Sequence, residues 1–99
     1  MSIVVVGGHE RMERKYKAIC SEYGHQAKVY THMPAKFEKI MGTPDAFVMF
    51  TKTVSHKMVK TAMKKAKKMN IPVVWSHNSS SVSLENSIKE LEKLNQNKK

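Results

Sequence analysis

Four of the five histidines in this 99-residue chain stand just beyond short apolar runs. His9 follows Ile3-Val4-Val5-Val6, His32 follows Val29-Tyr30, His56 follows Ala46-Phe47-Val48-Met49-Phe50, and His77 follows Val73-Val74-Trp75. Near neutral pH an imidazole can serve two kinds of ligand: protonated, it donates to an anion, and neutral, it lends a lone pair to a metal. Histidines are common in loops, so each taken alone needs no ligand. One at each of four strand exits favours a shared site, with His9 and His56 the stronger pair and His32 and His77 the weaker. Only His25 falls at the opposite end of the strand pattern.

The segments around the stronger pair carry further anion-binding chemistry. Gly7-Gly8-His9-Glu10-Arg11 turns from a strand into a helix, where glycines admit a ligand to the backbone and free N–H groups point outward. Thr51-Lys52-Thr53-Val54-Ser55-His56 repeats the arrangement with hydroxyls and a lysine before a second helix. The expected ligand-binding set is therefore Gly7, Gly8, His9, Arg11, Thr51, Lys52, Thr53, Ser55 and His56. The stretch from Ser76 to Ser81 is a third polar loop, and serine-rich loops are usually plain connectors. No G-x-G-x-x-G and no P-loop lysine with Ser/Thr is present, so the glycine pair also reads as an ordinary tight turn, and Ser55 as an ordinary helix N-cap.

The missing residues narrow the chemistry. Asp45 is the sole aspartate and precedes its strand, so the acidic cluster of a phosphate-receiver site is absent. Paired carboxylates for Mg²⁺ or general acid–base work are absent too. Cys20 falls on an apolar helix stripe, which reads as core. No nucleophile with a base and an orienting group is legible, so an enzyme has no support. The eight methionines fall mostly on apolar stripes and read as core filler.

The elements that must position these residues alternate between strand and helix. Ser2–Val6 reads as a strand covered on both faces. A helix over about 10–23 shows Met12, Tyr16, Ile19, Cys20 and Tyr23 on one stripe and closes at Gly24. A weaker strand spans 26–32. Pro34 opens a short helix with Phe37 and Ile40 or Met41 inward. Residues 45–50 form a third strand, and Ser55 caps a helix to about Met69 with Met58, Val59, Ala62, Met63, Ala66 and Met69 apolar. Residues 71–75 form a fourth strand, and a last helix shows Leu84, Ile88, Leu91 and Leu94, leaving 95–99 as a frayed tail. Such an alternation requires parallel strands joined by right-handed crossovers. The expected fold is a single α/β domain over residues 1–99, a small doubly wound, flavodoxin-like four-stranded sheet in the order 2-1-3-4. Ligands of such sheets bind beyond the carboxyl ends of the strands, where the order reverses.

Eighteen lysines and arginines against eight acids give a formal charge of +10, which favours anionic partners. Lys57, Lys60, Lys64 and Lys68 make a stripe that could lie along a phosphate backbone, although a solvated helix face has the same pattern. No Arg-, Asn- or Gln-rich recognition helix and no exposed aromatic platform is evident. One cysteine gives no disulfide framework, and the Ile3–Val6 run is too short for a signal segment or a membrane span. The expectation is a cytoplasmic protein with no membrane partner. Open sheet edges and a small core point to a homo-oligomer.

Val4-Val5-Val6-Gly7-Gly8-His9-Glu10, the later Val54-Ser55-His56 with its Lys/Ala-rich helix, and Ile71-Pro72-Val73-Val74 resemble a family of small bacterial proteins. It is a domain-of-unknown-function family with an N-terminal Gly-Gly-His. The resemblance implies a flavodoxin-like fold, draws attention to His9, Ser55 and His56, supplies no activity, and keeps a haem reading open. The functional expectation is a non-enzymatic binding protein for a small anionic ligand, phosphate-bearing or a nucleotide, at the carboxyl rim. One alternative is a haem- or transition-metal-binding protein using His9 and His56, with His32 and His77 in support. Another is nonspecific nucleic-acid binding through the Lys-rich helix 57–68.

Overall fold

A computed structural model describes residues 1–52 and 54–96. Four parallel strands, β1 (Ser2–Val6), β2 (Gln26–Tyr30), β3 (Ala46–Phe50) and β4 (Val73–Ser76), form one sheet in the order β2-β1-β3-β4. The helices are α1 (Glu13–Glu22), α2 (Phe37–Ile40), α3 (His56–Met69) and α4 (Ser81–Gln96), and a 3-10 turn (Glu10–Met12) leads into α1. This is the small flavodoxin-like α/β architecture expected from the strand–helix alternation.

Side chains alternate across the sheet with a period of two residues, and two cores result. Ile3, Val5, Ala46, Val48 and Phe50 point to the face covered by α1 and α4, through Tyr16, Ile19, Cys20, Leu84, Ile88 and Leu91. Val4, Val6, Phe47 and Met49 point to the face covered by α2 and α3, through Phe37, Met41, Met58, Ala62 and Ala66. The central strands β1 and β3 are buried on both faces, at about 1.5–3 kcal/mol for each large side chain so enclosed. They are the rigid base from which the rim loops depart.

Several boundaries differ from the sequence reading. The first turn after His9 is 3-10 rather than α-helical. β2 ends at Tyr30, whose carbonyl accepts the Gly7 N–H at 2.8 Å as the last rung beside β1, so His32 lies beyond the strand. α2 begins at Phe37 after Lys36 in a left-handed conformation, not at Pro34, and Met41 is buried while Ile40 is exposed. β4 begins at Val73, where pairing with Phe47 starts, and extends to Ser76. Asn95 and Gln96 belong to α4 rather than to a tail, and residues 97–99 lie outside the described residues. Met69 and Leu94, at helix ends beyond the sheet's cover, are exposed. So is Trp75 on the edge strand β4, an exposed aromatic that the sequence reading missed. No helix among the described residues is long and apolar enough to cross a membrane.

Candidate functional site

The pairing of β1 with β3, Val6 opposite Met49, sends the loops after both strands out of the same carboxyl edge of the sheet. α1 lies on one face and α3 on the other, so the order of connection reverses between these two strands. His9 and His56 both emerge at this edge, His9 capping the 3-10 turn and His56 opening α3, and both are exposed. Arg11, Lys52 and Ser55 are exposed there as well. Thr53 lies outside the described residues.

The glycine loop has a packing cause. Gly7 and Gly8 both take positive φ, 96° and 89°. A Cβ on Gly8 would lie 2.7 Å from Tyr16 Cε2 and 3.0 Å from Phe50 Cε2, so the loop rests directly on two buried rings. The Tyr16 hydroxyl donates to the Ser79 carbonyl at 2.7 Å, and the His9 N–H points to the same hydroxyl oxygen at 3.4 Å. Tyr16 thereby joins the loops after β1 and β4 from below, while its ring stacks at a tilt on Phe50, centroids 5.1 Å apart. On the sequence, Tyr16 was only one member of an apolar stripe. The usable signal was its hydroxyl, because a buried tyrosine normally finds a hydrogen-bond partner.

Other expected donors are partly committed to the fold. The Gly7 N–H is used by Tyr30, and the His9 carbonyl accepts from the Met12 N–H at 2.9 Å. Thr51 bonds to the end of β4 and to the loop beyond it, its N–H donating to the Ser76 carbonyl at 3.0 Å and its hydroxyl to the His77 carbonyl at 3.1 Å. Ser55 occupies the N-cap position of α3 in an extended conformation, but its side chain makes no capping hydrogen bond.

The two helix starts at the rim differ electrostatically. Glu10 and Glu13 occupy the first turns leading into α1, and both have partners: Glu10 lies 3.3 Å from His32 Nε2, and Glu13 accepts from the Thr31 hydroxyl at 2.7 Å. These carboxylates offset the positive end of that helix. The first turn of α3 carries no acid, so its dipole and the N–H groups of its opening turn face the rim uncompensated. An anion is therefore better served at Ser55 and His56 than at the start of α1.

The remaining histidines separate. His32 pairs with Glu10 where both side chains are about three-quarters exposed, a contact worth little. His77 is exposed beside an open polar groove of about 220 Å³ between β4 and α4, lined also by Trp75, Ser76, Ser83, Asn86, Ser87 and Glu90. The α4 contribution was legible as a polar stripe, Ser83, Ser87 and Glu90 at helical spacing, running beside the apolar one. His25, at the amino edge, is held through both ring nitrogens, Nδ1 lying 2.9 Å from the Met1 nitrogen and Nε2 2.8 Å from Glu92 Oε2. Among the described residues no group of three or more His, Cys, Asp and Glu side chains is placed to hold a metal ion.

Cys20 is fully buried on α1, and burial pushes its thiol up to about 11. Iodoacetamide at pH 8 is expected to leave it unmodified in the native protein and to label it fully in denaturant, as mass spectrometry would show; rapid native labelling would contradict its core position. Because the native thiol ionises later than the unfolded one, its contribution to stability is intact below pH 9 and is lost as pH rises toward 11.

Comparison with known proteins finds one family model, described as "Uncharacterized protein conserved in bacteria (DUF2325)", that matches residues 2–91. No curated protein and no solved structure matches the chain.

Proposed function

The chain belongs to this bacterial family, and from that premise we propose that it is a non-enzymatic binding protein for a small anion, phosphate-bearing or a nucleotide. The ligand lies across the carboxyl edge between β1 and β3. The observation that carries the reading is the start of α3, where a Ser55 side chain that makes no capping hydrogen bond and an acid-free first turn stand at the edge shared with β1. In this reading the opening N–H groups of α3 and Ser55 hold the ligand oxygens. His56 and Lys52 add donors on the same side, and His9 and Arg11 add them from across the edge. Gly7, Gly8 and Thr51 shape the loops, and Thr53 belongs to the same expected set. A homo-oligomer is part of the proposal, supported by the unpaired outer edges of β2 and β4. Sedimentation measures it directly.

The test exploits the opposite demands that anions and metals make on imidazole. Titration calorimetry with sulfate, whose charge is constant from pH 5.8 to 7.5, and with mononucleotides is carried out on wild type and His9→Gln. Under the proposal sulfate binds more tightly at pH 5.8, because imidazolium is the better donor. His9→Gln weakens binding by about 1–2 kcal/mol, roughly 5- to 30-fold, the scale of one or two hydrogen bonds. No response to sulfate or nucleotides, together with Zn²⁺ or haem uptake at pH 7.5 that His9→Gln abolishes, would replace the anion with a metal.

A further inference from the structure

The two faces of the sheet carry very different charge. The 3-10 turn, α1 and α4, which share one face, together hold six lysines and arginines against six glutamates. On the other face α3 holds six lysines and no acid, and α2 with its cap adds Lys36 and Lys39 against Glu38. Most of the +10 formal charge is thus gathered on a single side of the molecule.

The helical geometry arranges these lysines for one continuous contact. At 100° per residue, Met58, Ala62 and Ala66 fall on the arc buried against the sheet. Lys57, Lys60, Lys64, Lys67 and Lys68 fall on the opposite arc, and all five are exposed. Lys65 is the exception, since its ammonium donates to the Glu38 carbonyl at 2.8 Å and ties α3 to α2. From Lys57 to Lys68 the helix rises about 16 Å, close to the axial rise of about five base pairs.

From this segregation we infer that the outer face of α3 is a docking surface for the phosphate backbone of nucleic acid, running from Lys57 beside the rim to Lys60, Lys64, Lys67 and Lys68 farther along the helix. Charge complementarity names the occupant. The outward arc of α3 presents no apolar residue, and its apolar stripe packs against the sheet except for Met69 at the last turn, so the lysine face has no row of apolar residues to insert into a lipid surface. Lysines without arginine, asparagine or glutamine on that arc engage phosphates and leave base edges unread, which makes the binding indifferent to sequence.

The experiment measures anisotropy of labelled 20-nucleotide single strands and 20-base-pair duplexes of unrelated sequence at 50 and 200 mM salt. Five lysine–phosphate contacts on a duplex give an expected affinity loss of about 500-fold over that range. Lys60→Gln/Lys64→Gln/Lys68→Gln, all exposed and compatible with folding, is expected to reduce that salt-induced loss to about 12-fold, two contacts remaining. Lys89→Gln/Lys93→Gln on α4 is expected to change neither affinity nor salt dependence appreciably, and circular dichroism verifies the fold of each variant. Equal weakening by the two sets would show that bulk charge acts in place of this face. A duplex affinity insensitive to salt, or tighter binding to phosphatidylserine vesicles than to either nucleic acid, would overturn the assignment.

Discussion

Gly8→Ala is expected to destabilise the protein by about 2–6 kcal/mol, from two causes of about 1–3 kcal/mol each. The first is conformational, because φ at Gly8 is +89°, a region that side-chain-bearing residues rarely adopt. The second is steric. The new methyl would meet Tyr16 Cε2 at 2.7 Å, the Tyr16 hydroxyl at 2.9 Å and Phe50 Cε2 at 3.0 Å, and both rings are fully buried and unable to retreat. For a domain of this size 1 kcal/mol corresponds to about 4–8 °C in Tm, so a drop of tens of degrees or loss of folding is expected. Gly24→Ala isolates the two causes: φ there is +79°, but the space is open. It carries the conformational term alone. Equal Tm losses for the two variants would show that the rings do not dictate a glycine at position 8.

Tyr16→Ala is expected to lose about 3–5 kcal/mol, the range for truncating a buried aromatic, because the ring fills the space between β3, α1 and the glycine loop. Tyr16→Phe keeps the ring and removes only the hydroxyl, so about 1 kcal/mol is expected from the bond to Ser79. The two variants also differ in where they act. In Tyr16→Phe, faster hydrogen exchange is expected in the loop after β4, with β1 and β3 unchanged, whereas Tyr16→Ala loosens the whole α1 face. Urea denaturation gives the energies and exchange mass spectrometry the location. A Tyr16→Phe protein with wild-type stability and wild-type loop exchange would remove Tyr16 from its linking role.

Much of the architecture was legible because local chemistry and global packing agree. The runs Ile3–Val6 of β1 and Ala46–Phe50 of β3 are apolar at every position, a pattern that strands covered on both sides require. The helix stripes at 16-19-20 and 58-62-66 match the residues that pack on the sheet. The helix end near Met69 was legible, and Asn70 closes it in the left-handed conformation with its N–H on the Ala66 carbonyl. Ser55 was legible as a cap position, but its side chain forms no bond there, since position follows from chain direction while the bond follows from a rotamer.

The candidate site divides along the same line. Residue type and order alone determined that His9, Lys52, Ser55 and His56 follow strands, and that parallel strands carry such residues to a common edge. Two decisions belonged to tertiary structure. The exact neighbours of Gly8 come from α1 and β3, segments distant in sequence, so no local pattern could assign its missing side chain to packing. The separation of charge between faces also required the fold: a linear sequence shows six lysines in one helix, but not that the helices of the opposite face are neutral in sum. Periodicity tells which side of an element is buried; only the assembled sheet tells which elements share a side.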